Sequence, residues 1–171
     1  MKKNLPKILL SIALVCFLFF GCLYVRHDIG ITAKRLEKDI RSQQKIEDDW
    51  IVDGNVSDTM AAFISYPQDG KHHTFSVYVN RPGLSIGYFF RGGGGMSEDY
   101  ITEFTVEGYE ERAFISMNTQ KAERLEIING NDVQVIDIDS DKPFAIVLPL
   151  RASICFYDVN GEAMEYRRQS L

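Results

Sequence analysis

The chain has 171 residues, room for one ordinary domain. With 25% charged and 45% apolar residues it has a globular composition, and 13 Gly, 5 Pro and 3 Cys exclude a collagen-like repeat and a disulfide-stapled scaffold. Beyond residue 25 it carries 16 Lys and Arg against all 24 Asp and Glu, near −8 compared with −5 overall. A field of that sign disfavours a phosphate backbone, so no nucleic-acid partner is expected.

Residues 1–7 form a basic tail with Lys2, Lys3 and Lys7, and residues 8–25 follow as ILLSIALVCFLFFGCLYV, eighteen positions without a charge. As a helix this run would span about 27 Å, close to a hydrocarbon core of roughly 30 Å. The length suits an uncleaved signal anchor better than a secretory peptide, whose apolar stretch is usually ~7–15 residues. No A-x-A-like cleavage site follows; the next residues are Arg26-His27-Asp28. Phe19-Phe20-Gly21-Cys22 also resembles the lipobox of bacterial lipoproteins, in which the cysteine is lipidated and becomes the mature N-terminus. Gly21 suits that pattern, whereas Phe20 is bulky for it and Leu23-Tyr24-Val25 prolong the apolar run. Either reading, signal anchor or lipidated Cys22, makes the membrane a partner. The export-like leader favours a cytoplasmic tail and an extracytoplasmic domain in a bacterial envelope, although Arg26, Lys34, Arg35, Lys38 and Arg41 weigh on the other side.

Residues 26–49 are expected to be a stalk or linker, helical over 29–48, with a solvated connecting helix packed on the domain by one face as the plainer reading. Ile29, Ala33, Leu36 and Ile40 repeat at helical spacing, and Glu37–Arg41 is a favourable i,i+4 pair. From residue 50 to 171 the period becomes alternating. Phe75, Val77 and Val79 alternate with polar neighbours, as do Leu84, Ile86, Tyr88 and Phe90 after an Arg81-Pro82-Gly83 turn. Tyr100, Thr102, Phe104 and Val106 share one strand face, and Glu103 and Glu107 fall on the other, as acids of a solvated outer face would. Residues 119–126 admit a short helix. Residues 144–148 and 154–157 are apolar on both faces and are the candidates for central strands, with Cys155 as a packed core thiol. Asn160-Gly161 predicts a type I′ hairpin turn, and further turns are expected at 67–70, 92–95, 129–131 and 139–141. The sum is a mainly β chain: a transmembrane helix and helical stalk before an antiparallel β-sandwich, or small open barrel, of about eight or nine strands.

No catalytic residue can be named. There is no G-x-S-x-G elbow, and His72 and His73, adjacent on a strand, would point to opposite faces. Asp137, Asp139 and Asp141 stand at i, i+2 and i+4 and are the one arrangement able to converge on Ca²⁺, but they lack the glycine and distal glutamate of an EF-hand loop. Arg91 and Gly92, Gly93, Gly94 and Gly95 form a local oddity in which bare backbone amides could meet a ligand, with Tyr88 beside them as contact surface; a flexible hairpin tip or sheet edge with no ligand is the plain alternative. The expectation is therefore a membrane-anchored binding module, partnered by another protein or a cell-wall component. The alternatives are an envelope hydrolase or transferase built on Asp137, Asp139 or the acids of 98–111 with His72 or His73, and a structural subunit of a membrane complex.

Overall fold

A computed structural model describes residues 5–70, 72–130 and 132–171. Lys2 and Lys3 of the basic tail, and Asn131 of the expected 129–131 turn, lie outside the described residues. The uncharged run lies in helix α1 (Leu5–Val25), which is long and apolar enough to cross a membrane, and nearly all of its described side chains are exposed.

The helix expected over residues 29–48 is shorter than its periodicity suggests. Ile29 and Ile31 are extended and form bridges with Ile86 and Tyr88, and a single 3₁₀ turn at Ala33–Arg35 leads into α2 (Leu36–Gln44). Leu36 and Ile40 are fully buried against Ala61 and Tyr78. The Tyr78 hydroxyl donates to Asp39 Oδ2 at 2.7 Å. Burial first, and then the Asp39 carboxylate, hold that phenol well above the usual tyrosine range, so it remains a donor. Arg41 pairs with Glu37 at 2.8 Å and donates to the carbonyls of Glu47 and Trp50, which turns the chain back towards the β-domain. One face of this helix packs on the first sheet.

Twelve strands follow: β1 (Ile51–Val56), β2 (Met60–Tyr66), β3 (Thr74–Asn80), β4 (Tyr88–Gly94), β5 (Ile101–Thr105), β6 (Glu111–Ser116), β7 (Ala122–Asn129), β8 (Asp132–Asp137), β9 (Phe144–Pro149), β10 (Ser153–Asp158), β11 (Ala163–Met164) and β12 (Tyr166–Ser170). Among the described residues these twelve strands form three four-stranded sheets, ordered β1-β2-β3-β4, β12-β5-β6-β9 and β11-β10-β7-β8. All pairings are antiparallel except β12 with β5. The result is a β-sandwich with an extra layer, in which the inner strands of the middle sheet are buried on both faces.

Alternation explains how one sheet serves two cores. Phe104, Ala113, Ile115 and Ala145 point to the first sheet and meet Met60, Ile64, Phe75 and Val77; the Phe75 and Phe104 rings stack 4.3 Å apart. Ile101, Phe114, Phe144 and Leu148 point the other way, to Leu125, Ile127 and Phe156 of the third sheet. The double burial corrects two expectations. Residues 144–148 (within β9) are apolar on both faces because they lie between two sheets, yet β9 ends its sheet. Its outer side is met by β1, where Val147 N–H donates to Asn55 Oδ1 at 3.3 Å. Residues 119–126 are not helical either; most of them belong to β7.

Glu103 is the larger correction. It is 2% exposed, on the face that meets the third sheet, and pairs with Arg112 at 2.7 Å and Arg168 at 2.8 Å. Arg112 also donates to the Ala152 carbonyl, tying the middle sheet to the loop before β10. An acid in alternating register looks solvent-facing only when its sheet has a wet face, and this sheet has none there. Because Arg112 is buried too, removing its partner strands a charge. Glu103→Ala is expected to cost about 3–5 kcal/mol in denaturant unfolding of the full chain, whereas Glu103→Leu with Arg112→Met should recover most of that loss. A single-variant cost below about 1 kcal/mol would put the pair on a solvated surface instead.

Candidate functional site

The predicted turns supply a first test of local chemistry. The 158–163 hairpin closes as expected, but with a different turn: Gly161 N–H donates to the Asp158 carbonyl and only Gly161 has a positive φ, 78°. This is a type I turn closed by a glycine bulge rather than type I′. Asp158 Oδ1 accepts from the backbone N–H groups of Asn160 and Glu162, which fixes the turn and holds the Asp158 carboxyl below its ordinary range.

The glycine run is not a hairpin tip. Gly92, Gly93 and Gly94 are strand residues of β4, paired with Val77, Ser76 and Phe75. Arg91 is the additional residue of a bulge, because Val77 pairs with Gly92 while Tyr78 pairs with Phe90. A Cβ on Gly92 would stand 2.8 Å from the Leu171 side chain, and one on Gly93 would stand 2.7 Å from the Phe75 carbonyl and press on Gln44. Two of the four glycines are thus explained by the C-terminus on one face and α2 on the other. Gly95 has open space around it.

Tyr88 and Arg91 do not join this run in one site. Tyr88 packs on the α2 cluster and donates its hydroxyl to the Ser57 carbonyl; burial, then the Asp58 and Glu111 charges, raise its pKa. Arg91 is exposed beside a small cleft of about 190 Å³ that also takes in Arg81, Phe89 and Tyr109.

Two acids of the acidic turn weighed as a calcium site are turned to lysines. Asp139 Oδ2 lies 2.7 Å from Lys142 Nζ, and Asp141 Oδ1 lies 2.7 Å from Lys121 Nζ. The Lys142 contact, with the Asp141 backbone N–H, holds the Asp139 carboxyl below its ordinary range. Asp137 lies on β8 and does not turn in with them. His73 Nε2–H donates to the Met96 carbonyl, 2.8 Å away, and His73 Nδ1 lies 3.7 Å from Glu98 Oε1. Among the described residues no three His, Cys, Asp or Glu side chains gather as a metal site. Cys22 is exposed on α1.

The third sheet presents a surface that no motif announced. Its inner face carries Leu125, Ile127, Ile136 and Phe156. By register, its outer face reads as three rows across β10, β7 and β8: Ser153–Ile128–Val133, Cys155–Glu126–Val135 and Tyr157–Arg124–Asp137. One corner is polar and fully engaged, with the Arg124 guanidinium 4.4 Å from the Tyr157 ring centre and the Tyr157 hydroxyl 3.2 Å from Glu126. Cys155 lies on this outer face, half-buried, rather than in the core. The opposite corner is apolar and open: Val133 is 56% exposed and Val135 is 52% exposed, with Ile128 beside them.

Strand β8 also ends its sheet, so one row of its backbone N–H and C=O groups has no strand beside it. The other long edges are blunted. The middle sheet's β12 edge carries Arg167 and Arg168, β4 is bridged by Ile31, and β1 and β9 approach each other. Asp132 and Asp137 bracket the exposed valines and are themselves exposed. Alternation in DVQVID would place the two valines inside, and the structure places them outside; the signal was present with inverted sense.

Comparison with family models, with curated proteins and with solved structures finds no match to this chain. If packing explains the glycine run, Gly93→Ala should lower stability by about 1–3 kcal/mol and Gly95→Ala by less than about 0.5 kcal/mol, measured by urea unfolding. Equal costs at the two positions would contradict that explanation.

Proposed function

We propose that the chain is a membrane-tethered binding module whose β8 edge receives an extended segment of another protein. In this reading residues 8–25 cross the membrane with the lysine-bearing tail inside, and the acidic β-domain stands on the outer side of a bacterial envelope. The length and apolarity of α1 and the three lysines before or at its start support the tether. The observation that carries the binding role is the coincidence, on one strand, of an unpaired backbone edge with Val133 and Val135 exposed.

Soluble domains protect such edges with charge, bulges or a covering element, and an unprotected apolar edge invites another strand. The expected occupant has apolar side chains at alternate positions to meet Ile128, Val133 and Val135. Because Asp132, Asp137 and Glu126 surround that patch, it also carries Lys or Arg. Backbone pairing would supply affinity and the valine contacts specificity.

A photo-crosslinking residue at position 135 of the full chain, in native membranes, tests this. The expected result is a discrete adduct with a second protein that Val133→Lys abolishes and that a crosslinker at Leu150 does not give. An adduct at twice the 19.5 kDa chain mass would instead identify a second copy as the occupant, and no adduct at all would overturn the binding role of β8.

A further inference from the structure

The connection between β3 and β4 lies against the end of α1. Ile86 N–H donates to the Asp28 carbonyl at 2.9 Å, and Gly30 N–H donates to the Ile86 carbonyl at 2.7 Å. A cleft of about 310 Å³ separates the helix end from the turn, lined on one side by Phe19, Cys22 and Leu23 and on the other by Pro82 and Leu84. Leu23 is buried there, unlike the side chains around it on α1, and Leu84 is 72% exposed at the tip. Ile29 and Ile86, which flank the junction, are exposed as well.

We infer that the 81–86 turn is a second membrane contact, with Leu84 inserted at the boundary between headgroups and acyl chains. The inference rests on the reading that α1 is embedded in a bilayer, and then follows from depth. Phe19 lies six residues before the end of α1, about 9 Å along a helix axis. A turn that shares a cleft with Phe19 and Cys22 cannot stand clear of the layer those residues occupy. Pro82 and Leu84 offer apolar surface at that depth. Two cations stand at the rim, where lipid phosphates lie: Arg26, largely exposed although its Nε pairs with Asp28 at 3.2 Å, and Arg81, whose guanidinium lies 4.0 Å from the Phe89 ring centre.

The occupant of this surface is therefore the bilayer that α1 already enters, not a further protein. The consequence is a domain seated on the membrane at two points with fixed orientation, since the residues expected to form a stalk are folded onto the first sheet.

Fluorescence depth measurements on the full chain in phosphatidylcholine–phosphatidylglycerol vesicles test the inference. Leu84→Trp is read as a difference from the parent chain, which retains Trp50, using lipids brominated at shallow or deep acyl positions. Phe19→Trp in a second chain reports whether α1 itself is embedded. The expected result is a blue-shifted added emission for Leu84→Trp, quenched more by shallow than by deep bromines, together with quenching of Phe19→Trp. Quenching of Phe19→Trp with a water-like, unquenched Leu84→Trp overturns the second contact and leaves the anchor standing. If neither indole is quenched, the anchor reading fails and the turn contact fails with it. Leu84→Asp adds a control through a different readout: it should leave thermal unfolding unchanged, since Leu84 makes no core contact, while increasing the rotational mobility of the domain in the vesicles. Unchanged mobility would also count against the contact.

Discussion

The fold depends on a sheet whose inner strands have no wet face. Strands β5 and β6, with β9 beside them, send alternate side chains into two separate cores, one shared with the first sheet and one with the third. Every other layer can keep one face for helix, solvent or partner only because this sheet gives up both of its own. The cost appears at Glu103, where alternation brings a carboxylate into an interior that tolerates it only between two arginines.

The enclosed sheet also explains what the amino-acid pattern conveyed and what it hid. Strand periodicity at Phe75–Val79 was legible because both sides of that strand are defined by near neighbours. The Arg81-Pro82-Gly83 and Asp158–Gly161 turns were legible because turn chemistry is local, although Asn160 does not take the positive φ its dipeptide favours. Glu103 was misread because alternation reports that two faces differ, not which of them meets solvent. The glycine run lies on an edge strand, as one of its readings had it, but its expected turn is absent because its constraints are remote in sequence, Leu171 on one side and Gln44 on the other. The strand count fell short of twelve because β1, β11 and β12 are short or exposed, and β12 pairs in parallel with a distant strand.

The candidate sites separate in the same way. Residues singled out for their chemistry, such as Tyr88, Gly93 and Asp139, are engaged in packing or paired within the chain. What remains available lies at the margins: an apolar free edge on β8, and a turn beside the apolar helix with Leu84 exposed. Neither carries a motif, since each is defined by what the fold leaves uncovered. In the proposed reading the two are complementary, one seating the domain on its membrane and the other presenting it to a partner.

Native-state hydrogen exchange on the full chain in lipid most directly tests whether the doubly buried sheet is the element on which the rest depends. The account predicts that amides of β5 and β6 exchange only through global unfolding, while those of β8 exchange through local opening at much lower free energy. Protection of β8 equal to that of β6, or a middle sheet that opens before the outer two, would contradict it.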